Sequence, residues 1–419
     1  MKKWFAILFC AFCLQGFSQT MTLYTKNVLK KNREKFYRNV VNNVILKNLS
    51  DSLTANSEEA WANAFDAIAL IQYKSAFVNT QIDKAVVLFP NLSSNYQRSL
   101  LDLLNAQYPV KYIGPVKKYL NVISNDKVFA MAANYILNSG NEDDAVYIEY
   151  LTQERMSVYK ENPYYQQVYY QASLYNKKNA VPELSGFFQK NYLPGNVLLI
   201  SLQRKNRNYP GLVLIRDANG NFVRDSNGNI FHVPQLARSI SNMPGYISNG
   251  NTPEGIFRMD GFEVSNNAFI GPSVNVQMQM PFEDKASHFY KEVNKVDSVW
   301  EKEDYKKLLP QNFQNYYPVY QAYFAGMLGR TEIIAHGSTV NPQFYTGETY
   351  YPFTPTAGCL VTKETWSEET GKLQYSDQYS LVEMLRKSGG AKGYAIVINI
   401  NDEQRPVTLP DVLPYLEKN

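Results

Sequence analysis

Apolar residues recur at helical spacing through the first part of the chain. Trp61, Ala64, Ile68 and Ile71 fall on one face, behind Ser57 at an N-cap position and an acidic first turn, Glu58-Glu59. Leu100, Leu101 and Leu104 mark a second helix that Tyr108-Pro109 interrupts. Ile113, Val116, Leu120 and Ile123 share a further face. Asn125 or Asp126 then caps a helix carrying Val128, Met131, Ala132, Tyr135 and Ile136, and Asn138-Ser139-Gly140 stops it. Near Tyr192-Leu193-Pro194-Gly195 the pattern changes. Val197–Leu202 is apolar and β-prone, Gly211–Ile215 is a second strand candidate, and Asp217-Ala218-Asn219-Gly220 and Asp225-Ser226-Asn227-Gly228 are hairpin turns bracketing Phe222-Val223. With Ile230-Phe231 these predict a β-meander. Val274, Val276, Met278 and Met280 alternate with Asn275, Gln277 and Gln279, the signature of a half-buried strand. Residues 284–328 return to a helical, Tyr-rich pattern, and a short strand from Glu332 to Ala335 ends on His336.

The expected fold class is therefore multidomain α and β. A helical domain over 19–190 precedes a mostly β domain over 195–402 that carries a helical insertion at about 284–328, and a tail covers 403–419. Short helices joined by short turns resemble HEAT-type repeats, and an irregular bundle fits the same spacing. The helical segment shows no Cys or His, so its expected role is contact with a protein partner or placement of the next domain.

Residues 1–18 read as a signal peptide. Lys2-Lys3 precede an apolar run from Trp4 to Leu14, and Gly16 and Ser18 stand at cleavage spacing before Gln19. That run is short for a bilayer span and no second candidate follows, so no membrane span is expected after its removal. The expected location is the periplasm or cell envelope. Lys and Arg number 42 against 38 Asp and Glu, a near balance that excludes the basic surface a nucleic acid needs. Tyrosine is abundant at 32, which suits either aromatic stacking with a ligand or ordinary packing.

Export changes the meaning of the cysteine count. Cys10 and Cys13 leave with the leader, and Cys359 alone remains. A lone thiol in an oxidising compartment is buried and inert, paired between chains, or kept for reactivity. A reactive thiol needs a base, a group that orients the base, and donors for the oxyanion. His336 is the natural base, because His232 and His288 have no motif around them. Gly358 lets the backbone approach a substrate closely, and a helix over Lys363–Trp366 would help lower the thiol pKa. The Asp-x-Asn-Gly turns lack the Glu of a calcium loop, and the reading calls for no metal and no cofactor.

These residues carry a resemblance. Over about 195–400 the chain resembles the L,D-transpeptidase (YkuD-type) catalytic domain. His336-Gly337-Ser338, a loop of about twenty residues, and Thr356-Ala357-Gly358-Cys359 match that family's His-Gly and Ser/Thr-His-Gly-Cys elements. Thr252-Pro253-Glu254-Gly255-Ile256-Phe257 and Met280-Pro281-Phe282 match two upstream segments in the family's order. The resemblance implies that Cys359 attacks a carbonyl of a peptidoglycan peptide stem and forms a thioester, with His336 as base. The Gly337 carbonyl or the Ser338 hydroxyl would orient the ring, and Thr356 with the amides near Gly358 would shape the oxyanion pocket. Ala357 replaces the family's second histidine and Val361 its usual Arg or Asn, features similar to a divergent, YafK-like branch with hydrolytic members. The expected function is an L,D-transpeptidase. The alternatives are a murein carboxypeptidase or amidase of the same fold and a non-catalytic wall-binding scaffold. Tyr345, Tyr350, Tyr351 and Phe353, on the loop between the catalytic residues, either line the substrate groove or pack among themselves.

Overall fold

The helical spacing of the first part produces packed helices around one apolar cluster. In the computed structural model, which describes residues 23–175, 180–292 and 294–416, the main helices are Lys30–Asn39, Glu58–Ile71, Ala76–Leu88, Ser94–Gln107, Asp126–Leu137, Glu142–Val158 and Pro163–Ser173. The expected leader, 1–18, lies outside the described residues. Trp61, Ile68, Leu100, Leu104, Val128, Tyr135 and Ile136 are all buried in that cluster. Asn125 caps its helix, its side chain accepting from the Val128 N–H at 3.0 Å. Ser57 does not cap: its hydroxyl donates to the Ser52 carbonyl at 2.7 Å, so a tight turn preceding the helix has taken the group.

Among the described residues ten strands follow: β1 Leu198–Arg204, β2 Gly211–Arg216, β3 His232–Leu236, β4 Gly255–Val264, β5 Val274–Gln279, β6 Ile334–His336, β7 Leu360–Thr362, β8 Glu364–Trp366, β9 Leu373–Ser376 and β10 Tyr394–Asn401. Eight close a barrel in the order β1-β10-β4-β5-β6-β7-β3-β2, and β8-β9 form a separate ribbon. β1–β10 and β6–β7 pair parallel; the other barrel pairs are antiparallel. Every barrel strand contributes to one buried cluster that includes Leu199, Val213, Val233, Phe257, Val276, Ala335, Leu360 and Val397, which is therefore the barrel interior. Leu381, Val382 and Leu385 of the Asp377–Lys387 helix complete it. The alternating face of β1, β2, β4 and β10 is equally apolar and lies outside, under the 284–328 segment, through Phe289, Tyr305, Val319 and Tyr323. Strands apolar on both faces read as continuous runs, as Val197–Leu202 does.

Four expectations change. Residues 363–366 form a strand, not a helix, because Glu364–Trp366 pairs with β9. The meander beyond β2 shrinks to isolated bridges, Arg216–Phe222 and Arg224–Ile230, since each tight Asx turn leaves too few residues for a ladder. The strand before the histidine begins at Ile334 and includes His336. Leu184, Phe187 and Phe188 pack on the outer face of the barrel rather than in the helical cluster, and Val407 and Val412 of the tail join them.

The helical part and the barrel share a core. The barrel loop carrying Met243, Tyr246 and Ile247 buries these side chains in the helical cluster. There Asn134 donates to the Tyr246 hydroxyl, which itself donates to Gln171 at 3.3 Å. Among the described residues no helix is long and apolar enough to cross a membrane. Tyr246→Ala is expected to lower the unfolding free energy by about 3–5 kcal/mol, the usual cost of emptying an aromatic site, read as a shift in the urea midpoint. Tyr246→Phe, which keeps the ring, is expected to lose only about 1 kcal/mol.

Candidate active site

The parallel pairing of β6 with β7 sets the site. Ala335 opposes Leu360 and His336 opposes Val361. Ala335 and Leu360 point into the barrel, so the alternating residues Ile334, His336 and Cys359 point out. Cys359 stands one residue before β7 and thus lies diagonally from His336 on the same outer face. Both line one cleft of about 890 Å³. Its floor includes Asn275, Gln277 and Gln279, the polar face of β5. Its rim carries Asp260, Glu263, Glu283 and Glu332 from the barrel, with Asp66 and Leu70 from the Glu58–Ile71 helix.

His336 is buried and held by its own neighbour, Nδ1 facing the Gly337 carbonyl. A carbonyl only accepts, so Nδ1 carries the proton and Nε2 is left as an acceptor. Burial pulls the imidazole pKa down to about 4, against the lesser upward pull of the Gly337 bond. The ring is therefore neutral at pH 7. Of the two expected orienting groups, Gly337 holds the ring. The Ser338 hydroxyl is occupied elsewhere, accepting from Thr354 at 2.7 Å and from the Val340 N–H at 3.2 Å. Gly337 is required for a second reason: a side chain there would collide with the buried Glu364 carboxyl. Glu364 accepts from Ser273 at 2.6 Å and Ser376 at 2.7 Å, and burial raises its pKa to about 7 against these bonds and the lesser pull of the Trp366 side chain and the Ser338 N–H.

The Cys359 thiol is half-buried and donates to the Glu332 carbonyl at 3.5 Å, with no hydrogen bond to the His336 ring. Burial raises its pKa. Glu332 and Glu283 push the same way, while the Ile334 N–H and Arg330 pull down. A neutral thiol thus faces a cleft with a neutral imidazole, an arrangement that suits proton transfer at the moment of attack rather than a standing ion pair. The cysteine turn is braced from within. The Gly358 N–H donates to the Thr356 hydroxyl at 2.9 Å, which donates to the Cys359 carbonyl at 3.0 Å. Thr252 donates to the Gly358 carbonyl at 2.8 Å. Of the groups expected to shape an oxyanion pocket with the amides near Gly358-Cys359, the Thr356 hydroxyl and the Gly358 N–H spend their donors on this bracing.

The loop aromatics pack among themselves. Tyr345, Tyr350 and Phe353 form a small buried cluster with Leu236 and Val361, and Tyr351 is exposed at 41 %. None of the four lines the cleft. Tyr345 instead donates to the Leu70 carbonyl at 2.8 Å and so fastens the helical part beside the cleft. Asp66 and Leu70, from the segment expected to carry no chemistry, were invisible as site residues because only long-range packing brings them there. The alternation of Asn275, Gln277 and Gln279 was the one sequence signal for the floor. No protein-family model matches the chain, and comparisons with curated proteins and with solved structures also gave no match.

The depressed His336 pKa has a sign that can be checked. The unfolded chain takes up a proton between about pH 6.5 and 4 that the folded ring does not. This contribution is fully present above pH 6.5 and lost as pH falls through 4, about 3 kcal/mol in all. His336→Gln should flatten the stability-against-pH curve by about that amount over this window relative to wild type, measured by urea unfolding. Equal slopes in the two proteins would show that the ring titrates normally.

Proposed function

We propose that the protein is an exported cysteine acyltransferase of the L,D-transpeptidase type, acting on peptidoglycan peptide stems in the periplasm or cell envelope. In this reading the barrel with its 284–328 insertion is the catalytic domain, and the helical part is a second domain that walls its cleft. The observation that carries it is that Cys359 and His336 lie diagonally on one outer face of β6–β7 and line one cleft, with Nδ1 spent on Gly337 so that Nε2 is free to accept a proton. Convergence of the motif segments supports it. Thr252 holds the Gly358 carbonyl, and Glu283, which follows Met280-Pro281-Phe282, accepts from the Glu332 N–H at 2.7 Å and so braces the entry to β6.

The chemistry follows from these groups. The Cys359 sulfur forms a bond to the stem carbonyl carbon as its proton passes to His336 Nε2. Collapse of the tetrahedral adduct breaks the peptide bond, and the protonated ring returns the proton to the departing amine. The thioester is then taken by a second amine, with the ring again receiving a proton as the thiolate leaves. One observation favours water as the second acceptor. Ala357 lies exposed on the cleft lining and offers no side-chain group to hold an amine beside the thioester. That reading is a hydrolase of the same fold, a carboxypeptidase or amidase.

Incubating the mature protein with muropeptides, with products read by mass, separates these. Cross-linked or exchanged stems are expected. Stems shortened or cleaved with a gain of water would assign the hydrolase. Cys359→Ala should lower either rate at least about a thousandfold, and His336→Gln by about a hundredfold to ten-thousandfold. Turnover that survives Cys359→Ala, or sacculus binding with no turnover in either protein, would leave a wall-binding scaffold.

A further inference from the structure

Arg330 is a buried cation with no carboxylate. It is 4 % exposed and lies in the turn before β6. Nη1 donates to the carbonyls of Gly245, of Ile247 at 3.1 Å and of Asn251 at 2.9 Å, and Nη2 donates to that of Gly250 at 2.7 Å. No described Asp or Glu lies within ion-pair distance of it. Carbonyl oxygens satisfy its N–H groups but bring no net charge, and a buried charge without a counter-ion is costly. A fold bears such a cost most readily where a negative charge develops in use.

The geometry places that negative charge next door. Gly358, at φ +123°, packs its Cα face on the guanidinium, and a β-carbon there would collide with Nη2 and approach Cζ to 3.1 Å. The next residue is Cys359. The charged groups acting on the thiol are Arg330, Glu332 and Glu283, with the neutral His336 diagonal to it; Asp66, Asp260 and Glu263 line the same cleft. Lys127, from the Asp126–Leu137 helix, is the charged group of the helical part that feels Arg330. Among the described charges that act on the thiol, Arg330 is the cation. The loop it clasps is also the loop that inserts Met243, Tyr246 and Ile247 into the helical core.

We propose that Arg330 is the positioning residue of Cys359: it clamps the helix-docking loop against the Gly358 peptide and supplies the positive charge that stabilises the sulfur as it becomes anionic. The role rests on the thiol reading above, and its test needs no peptidoglycan. Iodoacetamide alkylates a thiolate, forming a sulfur–carbon bond with release of iodide after the thiol proton has gone to solvent. Its rate against pH therefore reports how readily Cys359 ionises.

The measurement compares full-length mature wild type, Arg330→Gln and Arg330→Lys, each checked for folding by circular dichroism. Loss of the charge should raise the alkylation midpoint by about one pH unit, seen as an about tenfold slower reaction at pH 8. Arg330→Lys keeps the charge without the fork. It should melt earlier than wild type while keeping a midpoint within about half a unit. A folded Arg330→Gln with the wild-type profile would overturn the proposal. If Arg330→Gln does not fold, the lysine variant decides: a retained midpoint supports the charge role, and a full-unit rise overturns it. An enzyme without muropeptide turnover but with the expected profiles would refute the function and leave the positioning role standing.

Discussion

The site depends on one short ladder, the parallel pairing of Ala335 with Leu360 and of His336 with Val361. Parallel neighbours cannot be joined by a tight turn, so the 337–359 loop must travel out and return. That loop is not idle length. Its aromatic residues pack into a small core of their own, and Tyr345 fastens it to the Leu70 carbonyl of the helical part. The same ladder decides orientation. Placing Ala335 and Leu360 in the barrel interior forces Ile334, His336 and Cys359 outward, and a slip of one residue would bury the thiol.

Burial then sets the protonation states. The His336 ring is neutral because its surroundings do not solvate a charge, and the Gly337 carbonyl chooses which nitrogen carries the proton. Desolvation and the nearby Glu332 and Glu283 hold the thiol protonated, with Arg330 as the opposing influence. The result is a poised neutral pair rather than a charged one. Such a pair is less open to chance oxidation than a standing thiolate, a difference that bears on the proposed export to an oxidising compartment.

Much of this was legible in the sequence, for identifiable reasons. Trp61, Ile68, Leu104 and Tyr135 announced helices because one buried face repeats at 3.6 residues. Val276 and Met278 announced a half-buried strand because alternation sends every second side chain to the same face. Cys359 and His336 stood out by scarcity and motif. What escaped was non-local. Lys363–Trp366 has no period of its own, and its conformation is decided by pairing with Leu373–Ser376 across the turn at Ser367 and Gly371. Asp66 and Glu332 are ordinary charged residues until the fold brings them to the cleft, and Arg330 is one until the fold buries it behind Gly358. Thr356 and Gly358 carried the right chemistry for an oxyanion pocket, yet they bond one another, a choice made by turn geometry that residue types alone do not reveal.

The thiol and the imidazole stand on the outside of a wall whose inside is a closed apolar interior. One rung of the ladder therefore serves two masters through opposite faces of the same strands. Ala335 and Leu360 answer to packing, and His336 and Cys359 face the cleft. Evolution can renegotiate the interior, trading volume among Val276, Met278 and Leu381, without moving the His336 ring. It can also refashion the cleft rim without reopening the barrel. Separating the two demands in this way leaves room for the cleft to change long before the fold is at risk.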